Sequence, residues 1–410
     1  MIFLGTGGVT SAQNPVTIPA LAAVTGGNLT LYGIGAEPIV VDTEMSLYFQ
    51  IAWSPDGQRL AYIGHDLQHL PVLKVIDLTQ SVRIVLTNNV AINFPVSFTS
   101  DSRRVIYGAR STIAAPTPAE GERPDAYVDL MIQDTSVGST PETLGTFPFG
   151  LGCTGGSSFP GDVIYGSEGG GFLAYEAILE PVPGGIVYSR DCSTRVTAVF
   201  SPSANRGYFL PEPIMQAVVS PSQLEVAGVQ IEERRLANRI VIAGTDGQTI
   251  SHLTTSAPVE RVIWSTNGDA LFYSTRQLVS TLPLSDNFRQ LVQWEQTELP
   301  IYQVSIYRVN RADNAEQLVF TGNGYAIGRM IQTPDPNVIL FSLVPNGDGW
   351  VTAIDFGALN PQAADYWSIA DDYFPIELYR LDIATGTVTL LGTDLAMATL
   401  NTALWGQTPQ

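Results

Sequence analysis

Charge is what this chain has least of. Charged residues fill 14% of its 410 positions, and Lys74 is the single lysine. Acidic residues outnumber basic ones by 39 to 20, for a formal net charge of -19. Nucleic-acid binding needs clustered Lys and Arg against phosphate; no such cluster occurs, so that class of partner is excluded. No apolar run approaches the ~18 residues of a membrane-spanning helix. Cysteine is nearly missing, with Cys153 and Cys192 the only two. Together with three scattered histidines (His65, His69 and His252) they offer no zinc spacing. There is no G-x-S-x-G elbow and no αβ-alternating half to form a hydrolase domain. Nothing therefore calls for a cofactor, a metal or a catalytic residue, and the expectation is a protein without enzymatic activity.

With so few charges, the exposed surface must consist largely of Ser, Thr, Asn, Gln and Gly. Secreted and surface-layer proteins often have such a weakly hydrated, association-prone surface. The start, "MIFLGTGGVTSAQNP", lacks a basic n-region, but its "TSA" resembles the end of an export signal. A flexible leader is the other reading. In an exported protein two cysteines read as a disulfide, and in a cytosolic one as two buried thiols. "FGLGCTGGSS" is irregular, and "GIVYSRDCSTR" sets its cysteine just after a strand, so a loop could bring Cys192 back to Cys153. The disulfide is the preferred reading, with a stabilisation of roughly 4 kcal/mol in the chain-entropy account.

What the chain does contain is a repeated phrase. "LYFQIAW" is an apolar run suited to a buried strand, and "SPDG" is a turn. Pro55 presets its backbone angle, Asp56 bonds back to the chain, and Gly57 takes a positive φ. "RLAYIG" then alternates as a half-buried strand, and "VLKVIDL" and "VRIVLT" follow as a third and a fourth. The order returns at "FPVSFTSDSRRVIYGAR", "IMQAVVSPSQLEVAGVQ", "VERVIWSTNGDALFYST" and "IGRMIQTPDPNVILFSL", and more weakly at "YEAILEPVPGGIVYSRD". Four short strands repeating every ~40 to 60 residues are the mark of a β-propeller.

The phrase resembles the W-S-P-D-G-x-x-[IL]-[AV]-[FY] blade motif of the TolB-like, WD-repeat-like propellers. It is specific from Trp53 to Tyr62, good from Trp264 to Tyr273, and worn down elsewhere. The motif specifies a blade and carries no chemistry, so Trp53 and Trp264 are read as packing between blades. Two pieces lie outside the six copies. "NLTLYGIGAEPIVV" looks like two outer strands, and "LAMATLNTALW" like an inner one. The expected fold is therefore all-β, a single propeller of seven four-stranded blades, the last split between the chain ends and either complete or one strand short. Six blades with two tails is the alternative. The expected divisions are residues 1–26 as an extended leader, 27–405 as the propeller and 406–410 as a tail.

Other motifs have plain readings. "HDLQH" holds His65 and His69 in a hairpin loop, and "PNGDGW" reads as a hairpin turn. An insertion in the last copy, "ALNPQAADYWSIADDYFPIE", gathers Tyr366, Trp367, Tyr373 and Phe374. These either fill a satellite cluster or form a contact patch for a partner. Taken together, the sequence points to an exported propeller at the cell surface acting through protein contacts, without a membrane span. Its sharper form is a self-assembling subunit of an extracellular filament or layer, in which "VTIPALAAV" pairs with the open edge of a neighbouring copy. A periplasmic TolB-like adaptor is one alternative. An enzyme or small-ligand binder using the central channel is another.

Overall fold

The computed structural model describes residues 20–25, 27–33, 37–43, 50–91, 96–112, 125–150, 178–182, 185–190, 196–201, 206–209, 214–232, 235–246, 250–363, 375–393 and 395–405. Seven four-stranded antiparallel sheets make up the fold. Blades 1 to 6 run in chain order and start at Ile51, Ser97, Ile178, Ile214, Arg261 and Ala326. In each, the first strand is innermost and the fourth outermost. The innermost strands touch one another in chain order around the ring. The ring closes where Ala396–Leu400, innermost strand of blade 7, contacts both Ala326–Gln332 of blade 6 and Ile51–Trp53 of blade 1. No described helix is long and apolar enough to cross a membrane.

The blade phrase has a visible physical role. Its hydroxyl residue closes the first hairpin: Ser54 Oγ accepts from Arg59 N at 2.9 Å, and Ser265 Oγ from Ala270 N at 2.9 Å. Its tryptophan reaches backward to the blade before. Trp53 Nε1 donates to the Thr399 carbonyl of blade 7, and Trp264 Nε1 to the Val218 carbonyl of blade 4, at 3.2 and 3.0 Å. The two sites are equivalent, yet Trp264 is fully buried and Trp53 only half-buried.

Blade 7 has all four strands, and the one left open by the sequence comes from the expected leader. Leu21–Thr25, within the stretch read as a leader, is its second strand. It pairs with Ala396–Leu400 on one side and with Asn28–Tyr32 on the other. Leu21, Ala22 and Ala23 are fully buried, and Val24 is almost so. The apolar segment thus fills its own sheet instead of being offered to a neighbour. The overlooked signal is the Gly-Gly pair in the sequence between "LAAVT" and "NLTLY": Thr25 pairs with Asn28 across it, and Gly27 takes φ 77°.

Asn401 then seals the ring. It stands where blades 1, 2, 4, 5 and 6 carry Ser or Thr, but no hairpin follows it. Its N–H donates to Ala20 O and its Nδ2 to Gly57 O, both at 2.8 Å. Gly57, in the "SPDG" turn, has φ 70°, and a Cβ there would lie 2.4 Å from Asn401 Oδ1 and 2.8 Å from Ala403 Cβ. Both the backbone angle and the close approach demand glycine. Gly57→Ala is expected to cost about 1–3 kcal/mol in urea melts. An unchanged midpoint would mean that Asn401 does not seat against this turn.

Candidate functional site

Antiparallel order puts the connections of each blade on alternate ends. Turns between strands one and two, including "SPDG", lie on one face with those between strands three and four. Connections between strands two and three lie on the other, the loop face. That connection is short in blades 4 and 7, between Glu232 and Arg235 and between Thr25 and Asn28. It is of ordinary length in blade 1, residues 66–70, and long in blades 2, 5 and 6, spanning residues 111–124, 284–297 and 345–376. The extra chain of the propeller is thus concentrated on one face.

Blades 5 and 6 build a cap there. Strands Ala270–Pro283 and Glu298–Asn310 overrun the blade and carry helix α1, Asp286–Val292, at their tip. Ser285 starts α1, its Oγ accepting from Phe288 N at 2.9 Å, with Asp286 favourably placed in the first turn. Helix α2, Asp348–Asp355, comes from blade 6 and packs against α1. Ser285 Oγ also hydrogen-bonds Asp355 Oδ1. Leu284, Phe288, Leu299, Val351, Ile354 and Leu359 form a small core of their own, edged by Trp294 and Trp350. "PNGDGW" is therefore the start of a helix, which corrects the hairpin reading.

Beneath the cap lies a cluster of buried charge. Asn346, just before α2, accepts from Tyr302 N with its Oδ1 and donates from Nδ2 to Tyr302 O, both at 2.9 Å. The Tyr302 and Tyr325 rings meet edge to face at 5.6 Å. The Arg276 guanidinium lies 4.5 Å from the first ring centroid and 4.9 Å from the second. Its Nε meets Glu260 Oε1 at 2.6 Å. Glu260 is only 3% exposed and immediately precedes the innermost strand of blade 5. Burial pushes its carboxyl up to about 7, against the opposing pull of Arg276 and then Arg261. Arg261 Nε donates to Ile327 O, and Arg329, at the equivalent place in blade 6, donates to Ala398 O. A buried carboxyl with so perturbed a value marks the cluster as a candidate site.

A second buried charge cluster is structural. Asp42, on the outer strand of blade 7, takes hydrogen bonds from Lys74 Nζ at 2.6 Å and Tyr62 Oη at 2.8 Å, both from blade 1. Burial raises the Asp42 carboxyl, but these bonds and the Lys74 and Arg83 charges outweigh it and hold it below its ordinary value. The lone lysine thus locks the closing blade to the first.

Other candidates fall as follows. His65 and His69 lie on the loop face of blade 1, their rings 6.4 Å apart. Among the described residues no group of three or more His, Cys, Asp or Glu could hold a metal ion. Cys153 and Cys192 lie outside the described residues, as do Tyr366, Trp367, Tyr373 and Phe374. The insertion carrying these aromatics joins strands two and three of blade 6, the connection that also carries α2. Pro55 and Asp56 occupy the turn face with Gly57, and Asp56 N donates to Ser102 Oγ of blade 2 at 3.0 Å. The Glu260 cluster was not anticipated.

No family model and no curated protein matches the chain. Solved structures do. TolB from Acinetobacter baumannii is similar at 14% identity, over 72% of this chain and 62% of its own, with a TM-score of 0.41. The likeness thus spans less than two thirds of the TolB chain. The fold is a TolB-like β-propeller. An oligogalacturonate lyase from Vibrio parahaemolyticus matches at 11% identity over 84% of this chain and 77% of its own, TM-score 0.47. Another oligogalacturonate lyase, in complex with manganese, matches at 10% over 93% and 85%, TM-score 0.48. At such identities the likeness is one of fold. It also corrects the expectation of a protein without enzymatic activity. Propellers of this form include lyases, so the missing elbow motif and hydrolase domain exclude only those chemistries.

Proposed function

We propose that this is an exported propeller that works by binding other proteins through its loop face. The observation that carries it is the distribution of exposed apolar side chains. Leu67, Leu70 and Phe356 lie on loop-face connections and Leu278 and Val279 on the overrunning end of blade 5's second strand, with Leu67 95% and Phe356 85% exposed. Among the described residues the opposite face has Val137 and Leu224. Apolar groups gathered at one end of a rigid scaffold are the usual makings of a contact surface. The net charge of -19 also disfavours a polyanionic partner. Cell surface and periplasm both suit the reading, and a Cys153–Cys192 bridge would accompany either.

Self-association into an extracellular layer or filament is a second reading, with its own support at the rim. The outermost strands of blades 6, 7 and 1 expose Val388 and Leu390, Ile39 and Val40, and Val82 and Val85. One experiment separates the two readings. A photo-crosslinking residue is placed at Leu67 or Phe356, at Leu224, and at Val85 or Val388, in the producing cell. The leading reading expects heterologous adducts from Leu67 and Phe356 and none from Leu224. Adducts of twice the chain mass from the rim positions alone would transfer support to self-association. Uniform labelling of all three surfaces would sink both.

A further inference from the structure

Two buried carboxylates in this protein are served very differently. Asp42 receives Lys74 Nζ, Tyr62 Oη and Thr43 N, with Arg83 3.7 Å away. Glu260 is as deeply buried, yet only its Oε1 is engaged, by Arg276; Oε2 has no hydrogen-bond partner among the described residues. An ionised carboxylate has lone pairs for about four donors, so a site supplying one suits the neutral acid better. Arg276 stays charged at any ordinary pH, and the faces of Tyr302 and Tyr325 hold it whether or not Glu260 is ionised.

Two strands join the cluster to the cap: Arg276 lies on Ala270–Pro283, whose Leu282 packs against the cap's core, and Tyr302 on Glu298–Asn310. Tyr302 stacks on Arg276, while Leu299 and Ile301 on the same strand pack into the cap's core. Asn346 grips both backbone groups of Tyr302, and α2 begins two residues later. We propose that the Glu260–Arg276–Tyr302 cluster is a proton-operated latch. With a proton on Glu260 the helical cap sits closed over blades 5 and 6; when the proton leaves, the carboxylate draws in water and the cap loosens.

The sign follows from linkage. The closed form holds the proton more tightly than a hydrated carboxyl of ordinary value, 4.5, because burial has raised Glu260 to about 7. The closed cap is therefore fully favoured below ~4.5 and loses that advantage as pH rises to about 7. The charged groups acting on Glu260 are Arg276 from the second strand and Arg261 from its own; Tyr302 and Tyr325 flank Arg276 from the third strand and from blade 6. None of this depends on what the loop face binds.

The test is 19F NMR of the chain labelled with 5-fluorotryptophan, from pH 5.5 to 8.5. The Trp294 and Trp350 signals would be assigned by substitution to Phe. Both are expected to move with one midpoint near 7, while Trp53 and Trp264 stay fixed, and Glu260→Gln should remove the transition with the signals at their acid positions. Flat Trp294 and Trp350 signals in the unsubstituted protein would overturn the latch. So would a transition that persists in Glu260→Gln, because a histidine would then be its source. Should Glu260→Gln fail to fold, Arg276→Gln decides: removing the opposing cation must raise the midpoint by at least one pH unit, and an unmoved midpoint overturns the proposal.

Discussion

A chain shortened to begin at Gly27 is expected to lose cooperative folding at room temperature. The cut removes Leu21–Thr25, which lies between two other strands of blade 7 and closes the ring. Leu21 and Val24 each contribute about 1.5–3 kcal/mol of burial, and the two alanines add to that. Two strand edges lose their partners at once, and Ala20 no longer accepts from Asn401. Set against a total stability of about 5–15 kcal/mol, losses on this scale leave little or no margin. Circular-dichroism melts should show no sharp transition, and a synthetic peptide of residues 20–26 should restore one. A truncated monomer that melts within a few degrees of the full chain would show that the ring holds without this strand. That result would revive the view of the segment as a free arm, which its burial in blade 7 now argues against.

What was legible in the sequence was whatever is local. "SPDG" and "STNG" announce themselves because turn chemistry acts within four residues, and six copies of the phrase fix the propeller. Pairing between distant segments leaves no such trace. Leu21–Thr25 and Ala396–Leu400 are adjacent only in space, and nothing in "LAAVT" names its partner. The Gly-Gly pair did carry the information, but the long apolar leader around it favoured reading one extended arm. The cap was hidden in a similar way. Ser285 and Asp286 ahead of Phe288, Leu291 and Val292 form a legible helix start, although the segment is short and sits inside a β repeat. The Glu260 cluster draws its members from strands up to 65 residues apart in the chain, Glu260 to Tyr325. No spacing rule could have assembled them.

The two repeat tryptophans read alike in sequence but should not respond alike. Trp264→Ala is expected to cost about 3–5 kcal/mol in denaturant melts, the usual range for emptying a large buried aromatic site. Its ring belongs to one buried cluster with Val259, Val262, Leu271, Tyr273 and Val309, and with Val229 and Ile240 of blade 4. Losing the indole also leaves the Val218 carbonyl without this donor, a further ~1 kcal/mol. Arg311 lies 5.1 Å over the ring while holding Glu225 of blade 4 with both terminal nitrogens, so the substitution also loosens that clamp. Trp53 makes the equivalent hydrogen bond to Thr399, but its half-buried ring has less contact to lose. Trp53→Ala should therefore cost about 1–3 kcal/mol, at the low end for an aromatic truncation. Trp264→Phe should recover most of the packing and lose only the hydrogen bond. Equal losses at the two positions, or a Trp264→Ala cost under about 1 kcal/mol, the range of ordinary surface changes, would mean that blade 4 and blade 5 are not joined through this ring.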